Sequence, residues 1–216
     1  MCAGIAAMLE ILRVLSSMAA AGRWRPRVNI VFIFFGAEEQ GSIGSHRYVH
    51  NCRAANDASE RLRRHRQDCG LPEQFRFHAT GGFRGALILD QIGYIEPSRE
   101  QGIPMVIESD AKTAGAATLL RKLVRAGRQH TPEARISYSL KADRSDHFSF
   151  SLEHSASVLS RESFANPCYH STCDTVDRLS APLLGAVTKM NLAAALELDG
   201  EDPVRAHAWF ASLLKP

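Results

Sequence analysis

Two adjacent carboxylates are the first candidates for chemistry. The stretch "FFGAEEQGSIGS", residues 34–45, places Glu38 and Glu39 side by side, directly after an apolar run and within a turn punctuated by glycines. Consecutive side chains can point in different directions, so one carboxylate can bind a metal ion while the other acts as a base. A metal-dependent hydrolase needs both roles, because the metal lowers the pKa of a bound water to about 7 and a nearby carboxylate accepts its proton. Taken alone, a Glu-Glu pair is typical of an exposed turn.

Three further residues have chemistry that suits the same site. Asp90 ends the apolar run "GALIL", and "NPCYHSTCDTVD", residues 166–177, contains Tyr169 and His170. A neutral imidazole is a common zinc ligand, and a phenol can donate a hydrogen bond to a developing oxyanion. Loops at the carboxyl ends of strands hold the ligands of open α/β folds, so we expect these residues to meet there.

The elements that would position these residues alternate between helices and strands. "VNIVFIFF", residues 28–35, predicts a short strand buried on both faces. An N-terminal helix is predicted to face the core through Ile5, Met8, Leu9, Leu12, Leu15 and Met18. Further strands are predicted at 85–94, 103–109, 135–139 and 156–160, and further helices at 42–52, 111–128 and 181–198. The pattern indicates a mixed α/β layer fold.

Length and composition favour one domain, 1–216, with a sizeable core. The chain has 216 residues, of which 45% are hydrophobic and 23% charged, and a polar, arginine-rich insert is predicted at about 53–83. The formal net charge of +3 argues against a nucleic-acid partner, and the basic run 61–68 lies among acidic residues, as on a solvated helix face. We expect no membrane span, because no apolar stretch approaches about 18 residues, and the chain shows no signal peptide.

Four motifs in order closely resemble the co-catalytic zinc aminopeptidases of metallopeptidase family twenty-eight, a group that includes bacterial secreted leucyl aminopeptidases. They are "FFGAEEQGSIGS" (34–45), "LILDQIGY" (87–94), "SDHFSF" (145–150) and "NPCYHSTCDT" (166–175). The resemblance covers the chain nearly from end to end. It implies a three-layer α/β/α sandwich with a central mixed β-sheet, a site for two zinc ions, and peptide substrates with a free N-terminus.

The resemblance also implies a role for each candidate residue. Glu38 would be the general base and Glu39 a zinc ligand. His170 would join Glu39 on the same zinc, and Asp90 would bind the other zinc. Tyr169 would polarise the scissile carbonyl.

One part of the family's pattern has no counterpart in this sequence. Members carry a His-x-Asp ligand motif upstream of the first helix and an Asp that bridges both zincs just before it, whereas this chain begins "MCAG". Three of the five expected ligands remain, so we expect the first strands to be missing and the two-metal centre to be weak or unformed. An incomplete chain or wrongly assigned start, a pseudo-peptidase, and a site rebuilt with other ligands all fit this pattern.

Several other residues are candidates for metal ligands or nucleophiles. His147 is the best substitute ligand, although a hydrogen bond within its own loop also accounts for it. His46 and His50 have the i, i+4 spacing of a pair on one helix face, but no third ligand is evident and solvated helix residues are the favoured interpretation. Ser145, Asp146 and His147 are adjacent and cannot easily converge as a serine triad.

The cysteines and one departure bear on location and specificity. Some secreted members of the family have a disulfide that corresponds to Cys168–Cys173, and a Cys52–Cys69 bridge could close the insert, although free thiols fit equally well. Bridges would imply a secreted or periplasmic protein. His154 stands where the family has glycine, so a leucine preference is not carried over.

These observations together predict a zinc-dependent exopeptidase that removes N-terminal residues from peptides and has impaired activity. A noncatalytic pseudo-peptidase, used for binding or dimerisation, is the alternative from another class. A single-zinc enzyme of the glutaminyl-cyclase type is the related alternative, although "GAEEQG" and "NPCYH" fit the peptidase better.

Overall fold

The structure is a computed structural model that describes residues 2–51, 82–96, 102–141 and 144–200. Most of the predicted insert lies outside these ranges, as do Cys52 and Cys69 and therefore the question of their pairing.

A mixed four-stranded sheet forms the centre of the described fold. Its strands are β1 (Ala86–Leu89), β2 (Ile103–Glu108), β3 (Ala134–Ser139) and β4 (Ser157–Glu162), in the order β1-β4-β2-β3. β4 runs parallel to β1 and antiparallel to β2, and β2 runs parallel to β3. Each strand lies within or close to a range that the sequence predicts, and the mixed sheet is confirmed.

Helices cover both faces of this sheet. They are α1 (Cys2–Ala20), α2 (Ile43–Asn51), α3 (Ala116–His130), α4 (His147–Leu152) and α5 (Ala181–Asp199), with a 3-10 turn at Val176–Arg178. α1, α3 and α5 contribute to the larger hydrophobic core, whereas Val49 of α2 and Phe150 of α4 pack with Ala86 and Ile88 on the other face of β1. The alternation along β1 therefore separates two helical layers, as a three-layer α/β/α arrangement requires.

The core-facing side of α1 differs from the prediction. Ile5, Leu9 and Leu12 are 38%, 51% and 40% exposed. Leu15 and Met18 are buried as predicted, and the other buried residues of this helix are Ala3, Ala7, Ile11 and Val14. Because α1 is apolar around most of its circumference, spacing alone does not select a face. Small residues do: a Cβ on Gly4 would lie 2.6 Å from the carbonyl oxygen of Leu89, so α1 approaches β1 closely.

α1 also corrects the expectation that no stretch is long enough for a membrane span. Residues Ala3–Ala20 are long and apolar enough to cross a membrane by length and composition. In the fold 39% of this stretch is buried, and the core helix of a globular protein passes the same test.

The prediction of a strand at 28–35 is wrong. Its residues have no regular secondary structure, Val31 and Phe34 are 43% and 50% exposed, and Ile30 and Phe32 are half-buried against the core. A strand buried on both faces needs ladder partners for its backbone groups. Among the described residues no ladder includes this segment.

Asp199 fixes the chain just before that segment. Its carboxylate accepts hydrogen bonds from Trp24 Nε1 at 2.9 Å and from the backbone N–H groups of Arg27 and Val28 at 2.6 and 2.9 Å. Asp199 is 1% exposed, so these donors satisfy a charge that is almost fully buried. The end of α5 is thereby tied to the connection that follows α1.

Candidate metal centre

The loop that carries Glu38 and Glu39 closes back on the start of α2. The N–H groups of Gly41 and Ser42 donate to the carbonyl oxygen of Glu38 at 2.9 and 2.7 Å, and Gly44 N–H donates to Gly36 O at 3.1 Å. A Cβ on Gly44 would lie 2.4 Å from Gly36 O, so the first turn of α2 fits there only with glycine. The glycines therefore hold the adjacent carboxylates in a tight loop against a helix.

Asp90 follows β1 at the edge of the sheet where β4 also ends. Its N–H donates to Ser160 O at 3.3 Å, which continues the parallel pairing of β1 with β4 by one residue. The chain that leaves β4 leads to Tyr169 and His170. Parallel strands end at the same edge, so the sheet directs both loops toward one place, as the sequence predicts.

Glu162 fixes the loop that follows Asp90. Its N–H donates to Gln91 O at 2.7 Å, and its carboxylate accepts from the N–H groups of Gly93 and Tyr94 at 3.1 and 2.7 Å. Burial raises the pKa of Glu162 to about 7, against the opposing effect of these two N–H donors. Sequence reasoning missed this residue, because a glutamate at the end of a strand usually faces solvent.

A disulfide encloses the loop with Tyr169 and His170. Cys168 and Cys173 are bridged, with their Cα atoms 5.2 Å apart, which agrees with the bridge that the resemblance suggested. The rings of Tyr169 and His170 stack with centroids 3.7 Å apart, and Tyr169 makes a side-chain hydrogen bond with Gln91. This loop is therefore held by a covalent bridge and by a contact to the Asp90 loop.

The structure brings the five predicted site residues together. His170 Nε2 lies 2.7 Å from Glu39 Oε2, and both side chains are partly exposed. Burial and the charges of Asp90 and Glu39 raise the pKa of Glu38 to about 6. Burial, followed by the charges of Glu39, Asp90 and Glu38, raises the pKa of Tyr169, so this phenol keeps its proton at neutral pH.

Backbone strain is concentrated around these residues. Four non-glycine residues with positive φ lie at or next to the site: Ala37 (57°), Gln91 (50°), Ser145 (62°) and His170 (56°). Each such conformation costs about 1 to 3 kcal/mol and persists only where the surrounding structure enforces it. Ala37 precedes Glu38 and Gln91 follows Asp90, so these strained conformations help to set the orientation of the two candidate side chains.

Asp146 is a second residue that sequence reasoning did not place in the site. Its charge contributes to the raised pKa of Glu38. Burial raises its own pKa, against a hydrogen bond from Ser45. Its Oδ1 is buried and has no hydrogen-bond partner among the described residues. The position of Asp146 in the "SDHFSF" motif could have indicated it, but the residue of this motif that was considered as a ligand was His147.

Ser145 and His147, the neighbours of Asp146, are both buried. His147 is fully buried, and its charge is not among those that shift the pKa of Glu38. Ser145 Oγ is buried and makes no hydrogen bond within the described residues, in agreement with the rejection of a serine triad.

The donor set fits zinc in chemistry and is sparse in number. Glu39 and His170 offer a carboxylate and an imidazole in contact, and Asp90 lies beside them. Across 2–51, 82–96, 102–141 and 144–200, no three His, Cys, Asp or Glu side chains are grouped so that they could hold one metal ion. The described residues therefore offer one pair of donors in contact, Glu39 and His170, and one further carboxylate, Asp90.

Comparison with known proteins places the whole described fold in one group. The family model described as Peptidase family M28 matches residues 2–195. Aminopeptidase NAALADL1 of Rattus norvegicus and that of Mus musculus are each 55% identical to this chain over 42 residues, which is 19% of this chain and 6% of the relative.

Solved structures of similar fold include aminopeptidases. The LapA aminopeptidase of Legionella pneumophila has a TM-score of 0.63 and 22% identity, over 93% of this chain and 46% of that chain. The zinc aminopeptidase BSAP of Bacillus subtilis has a TM-score of 0.63 and 23% identity, over 90% of this chain and 40% of that chain. At this identity the likeness shows the fold. This chain spans less than half the length of either protein.

Proposed function

Because the chain belongs to peptidase family M28, we propose that it is a zinc-dependent aminopeptidase that removes N-terminal residues from peptides. The observation that carries the proposal is the 2.7 Å contact between His170 and Glu39, next to Glu38 with its raised pKa of about 6. A zinc-ligand pair beside a carboxylate that binds protons near neutral pH is the arrangement that a metal-dependent hydrolase needs.

The metal-binding role falls to three residues. Glu39 and His170 would hold one zinc, and Asp90 would contribute to a second. Bound zinc would supply Lewis-acid chemistry at the peptide carbonyl and at the attacking water. With only these protein ligands, we expect weak zinc binding and low activity in this chain.

The proton transfers fall to Glu38. Its carboxylate would accept a proton from water and return it to the amine of the departing peptide. Burial and, after it, the neighbouring acids raise the pKa of Glu38 to about 6, so its affinity for the proton is above that of an ordinary glutamate. The same crowd of acids would attract the ammonium group of a free N-terminus.

Tyr169 would bind the substrate carbonyl. Its phenol keeps its proton at neutral pH and can therefore donate a hydrogen bond to the oxygen on which negative charge develops. Stacking on His170 would keep the phenol beside the metal ligands.

We also propose a secreted or periplasmic location. The Cys168–Cys173 bridge supports it, because disulfides persist in oxidising compartments.

The test is metal content measured by elemental analysis, together with hydrolysis of a panel of aminoacyl-p-nitroanilides. The parent chain is compared with Glu39→Gln and His170→Gln, and with His154→Asn as the matched control, because His154 is exposed and Asn tolerates its φ of 52°. We expect zinc-dependent turnover of free but not N-acetylated substrates in the parent and control, and loss of zinc in the two site variants.

Zinc and turnover that survive both substitutions would contradict the proposed ligands. A folded parent chain with no zinc and no turnover would contradict the enzymatic proposal and favour the noncatalytic binding module.

A further inference from the structure

A second group of metal-binding side chains lies on α2, beyond the loop of Glu38 and Glu39. His46 and His50 are one helical turn apart on the same side of α2, and their ring centroids are 4.1 Å apart with the planes tilted by 41°. The i, i+4 spacing was evident in the sequence, although solvated helix residues were the favoured interpretation. Neither histidine is among the groups whose charges shift the pKa of Glu38.

A carboxylate from α4 holds one of these imidazoles. Glu153, at the C-terminal end of α4, places Oε1 2.8 Å from His50 Nδ1, and its side chain is 17% exposed. A carboxylate on Nδ1 fixes the tautomer and the orientation of the ring, and it makes Nε2 the more basic ligand atom. The sequence does not reveal this contact, which is why solvated helix residues were the favoured interpretation.

The spacing of the pair suits a metal ion. Histidines at i and i+4 on a helix can bind one ion between them, and imidazole suits zinc, copper and nickel. His46 is exposed, so its ring can turn toward a shared ion, whereas His50 is held by Glu153. Two imidazoles would leave the remaining coordination positions to water.

The two helices behind the pair are already joined. Ser45 Oγ of α2 and Ser149 Oγ of α4 lie 2.8 Å apart in the interior. Because Glu153 belongs to α4 and both histidines belong to α2, an ion held there would add a link between these helices.

We propose that His46 and His50 form a second, two-histidine site for a divalent transition-metal ion, with Glu153 as the residue that positions His50. This site is separate from the ligands Glu39, Asp90 and His170 and does not depend on the proposed peptidase activity. Its occupancy stabilises the folded state, because an ion that binds the folded chain and not the unfolded chain raises the free energy of unfolding.

The test is calorimetric titration of the full chain with Ni²⁺. A Glu39→Gln, His170→Gln background removes the pair of ligands at the candidate metal centre. In this background we expect His46→Ala or His50→Ala to weaken Ni²⁺ binding by about tenfold or more, because one arm of a chelate is lost. Glu153→Gln weakens it by roughly tenfold through the orientation of His50. His154→Asn, an exposed histidine outside the pair, leaves binding unchanged.

Thermal unfolding gives a second readout. Ni²⁺ is expected to raise the Tm of the background chain and to leave that of His46→Ala unchanged. Ni²⁺ binding by His46→Ala equal to that of the background would overturn the site. Since His46 is exposed, this variant decides the matter even if His50→Ala fails to fold. Unaltered binding by Glu153→Gln would overturn the positioning role of Glu153.

Discussion

Acidic side chains have opposite surroundings in two regions of this molecule. In the sheet and the helices that pack on it, called the core region here, buried carboxylates are matched by donors from the chain itself. Asp199 accepts hydrogen bonds from three N–H groups, and Glu108 accepts two from the guanidinium of Arg161, at 2.8 and 2.6 Å. Glu197 is paired with Lys122 at 2.8 Å and with Arg125. These carboxylates join elements of the fold.

In the candidate metal centre the acids face one another. Burial and the charges of Asp90, Glu39 and Asp146 raise the pKa of Glu38. One oxygen of Asp146 is buried and has no hydrogen-bond partner in the part of the chain that the structure describes. Within the described ranges His170 is the cation-forming residue that pairs with these acids, and no Lys or Arg does so. Among the described residues, the structural carboxylates are neutralised and these four are crowded together, an arrangement that suits the binding of a cation.

The largest expected effect follows from removing the proton acceptor. In the proposed enzyme, Glu38→Gln should lower kcat/KM for aminoacyl-p-nitroanilides by about 10²- to 10⁴-fold, the range for loss of a general base. Zinc content and Tm should not fall, because the substitution relieves repulsion among the acids. Glu133→Gln, at an exposed position in the core region, is the control and should retain full activity. Equal activity in both variants would remove Glu38 from the reaction.

A smaller loss is expected from Tyr169→Phe. The phenylalanine ring can keep the stacking on His170, so the change removes only the hydroxyl. We expect kcat to fall by about 10²-fold with little change in KM, since the hydrogen bond would strengthen as charge develops on the carbonyl oxygen. A rise in KM at constant kcat would instead assign Tyr169 to substrate binding.

The comparison also separates what the sequence could predict from what it could not. The strands that carry Asp90 and lead to His170 were predictable, because short β-branched runs end at polar loops and parallel strands end at one edge. The five candidate residues lie in motifs that resemble those of family M28, and the resemblance supplied their proposed roles. Their meeting place then follows from the mixed sheet.

Other features depend on contacts that one segment does not reveal. The exposure of Ile5, Leu9 and Leu12 was not predicted, because apolar residues surround α1. The close approach of Gly4 to Leu89 determines which side of the helix faces the sheet. The segment 28–35 has strand composition without ladder partners among the described residues. Glu162 and Asp146 were missed because burial of a carboxylate is a tertiary property.

In the core region, removing an anchoring carboxylate should affect stability and not metal binding. Asp199→Ala leaves Trp24 Nε1 and two backbone N–H groups without their acceptor in a buried position. We expect the free energy of unfolding to fall by roughly 2 to 4 kcal/mol. Zinc content of the folded fraction should be unchanged. Glu10→Gln, at an exposed ion pair, should cost less than about 1 kcal/mol, and a similar loss in both variants would deny Asp199 its anchoring role.

Glu162 lies between the two regions, because it is a buried structural acid that also holds the Asp90 loop. Its pKa of about 7 in the folded state lies above the ordinary value of 4.5, so the folded state binds the proton more tightly than the unfolded state does. This contribution to stability is fully present below about pH 4.5 and is lost as the pH rises through 7. Between these values it amounts to up to about 3 kcal/mol.

Glu162→Gln isolates this contribution, because its amide oxygen can still accept from Gly93 and Tyr94 while its charge never changes. Urea unfolding of both chains between pH 5 and 8 should show the parent losing stability relative to the variant as the pH rises. Other titrating groups are common to both chains and cancel in the difference. Parallel pH profiles would mean that Glu162 is ionised throughout this range, with Gly93 and Tyr94 N–H groups sufficient to stabilise its charge. Glu162 would then resemble Asp199, as a buried carboxylate whose charge is stabilised by hydrogen-bond donors of the chain.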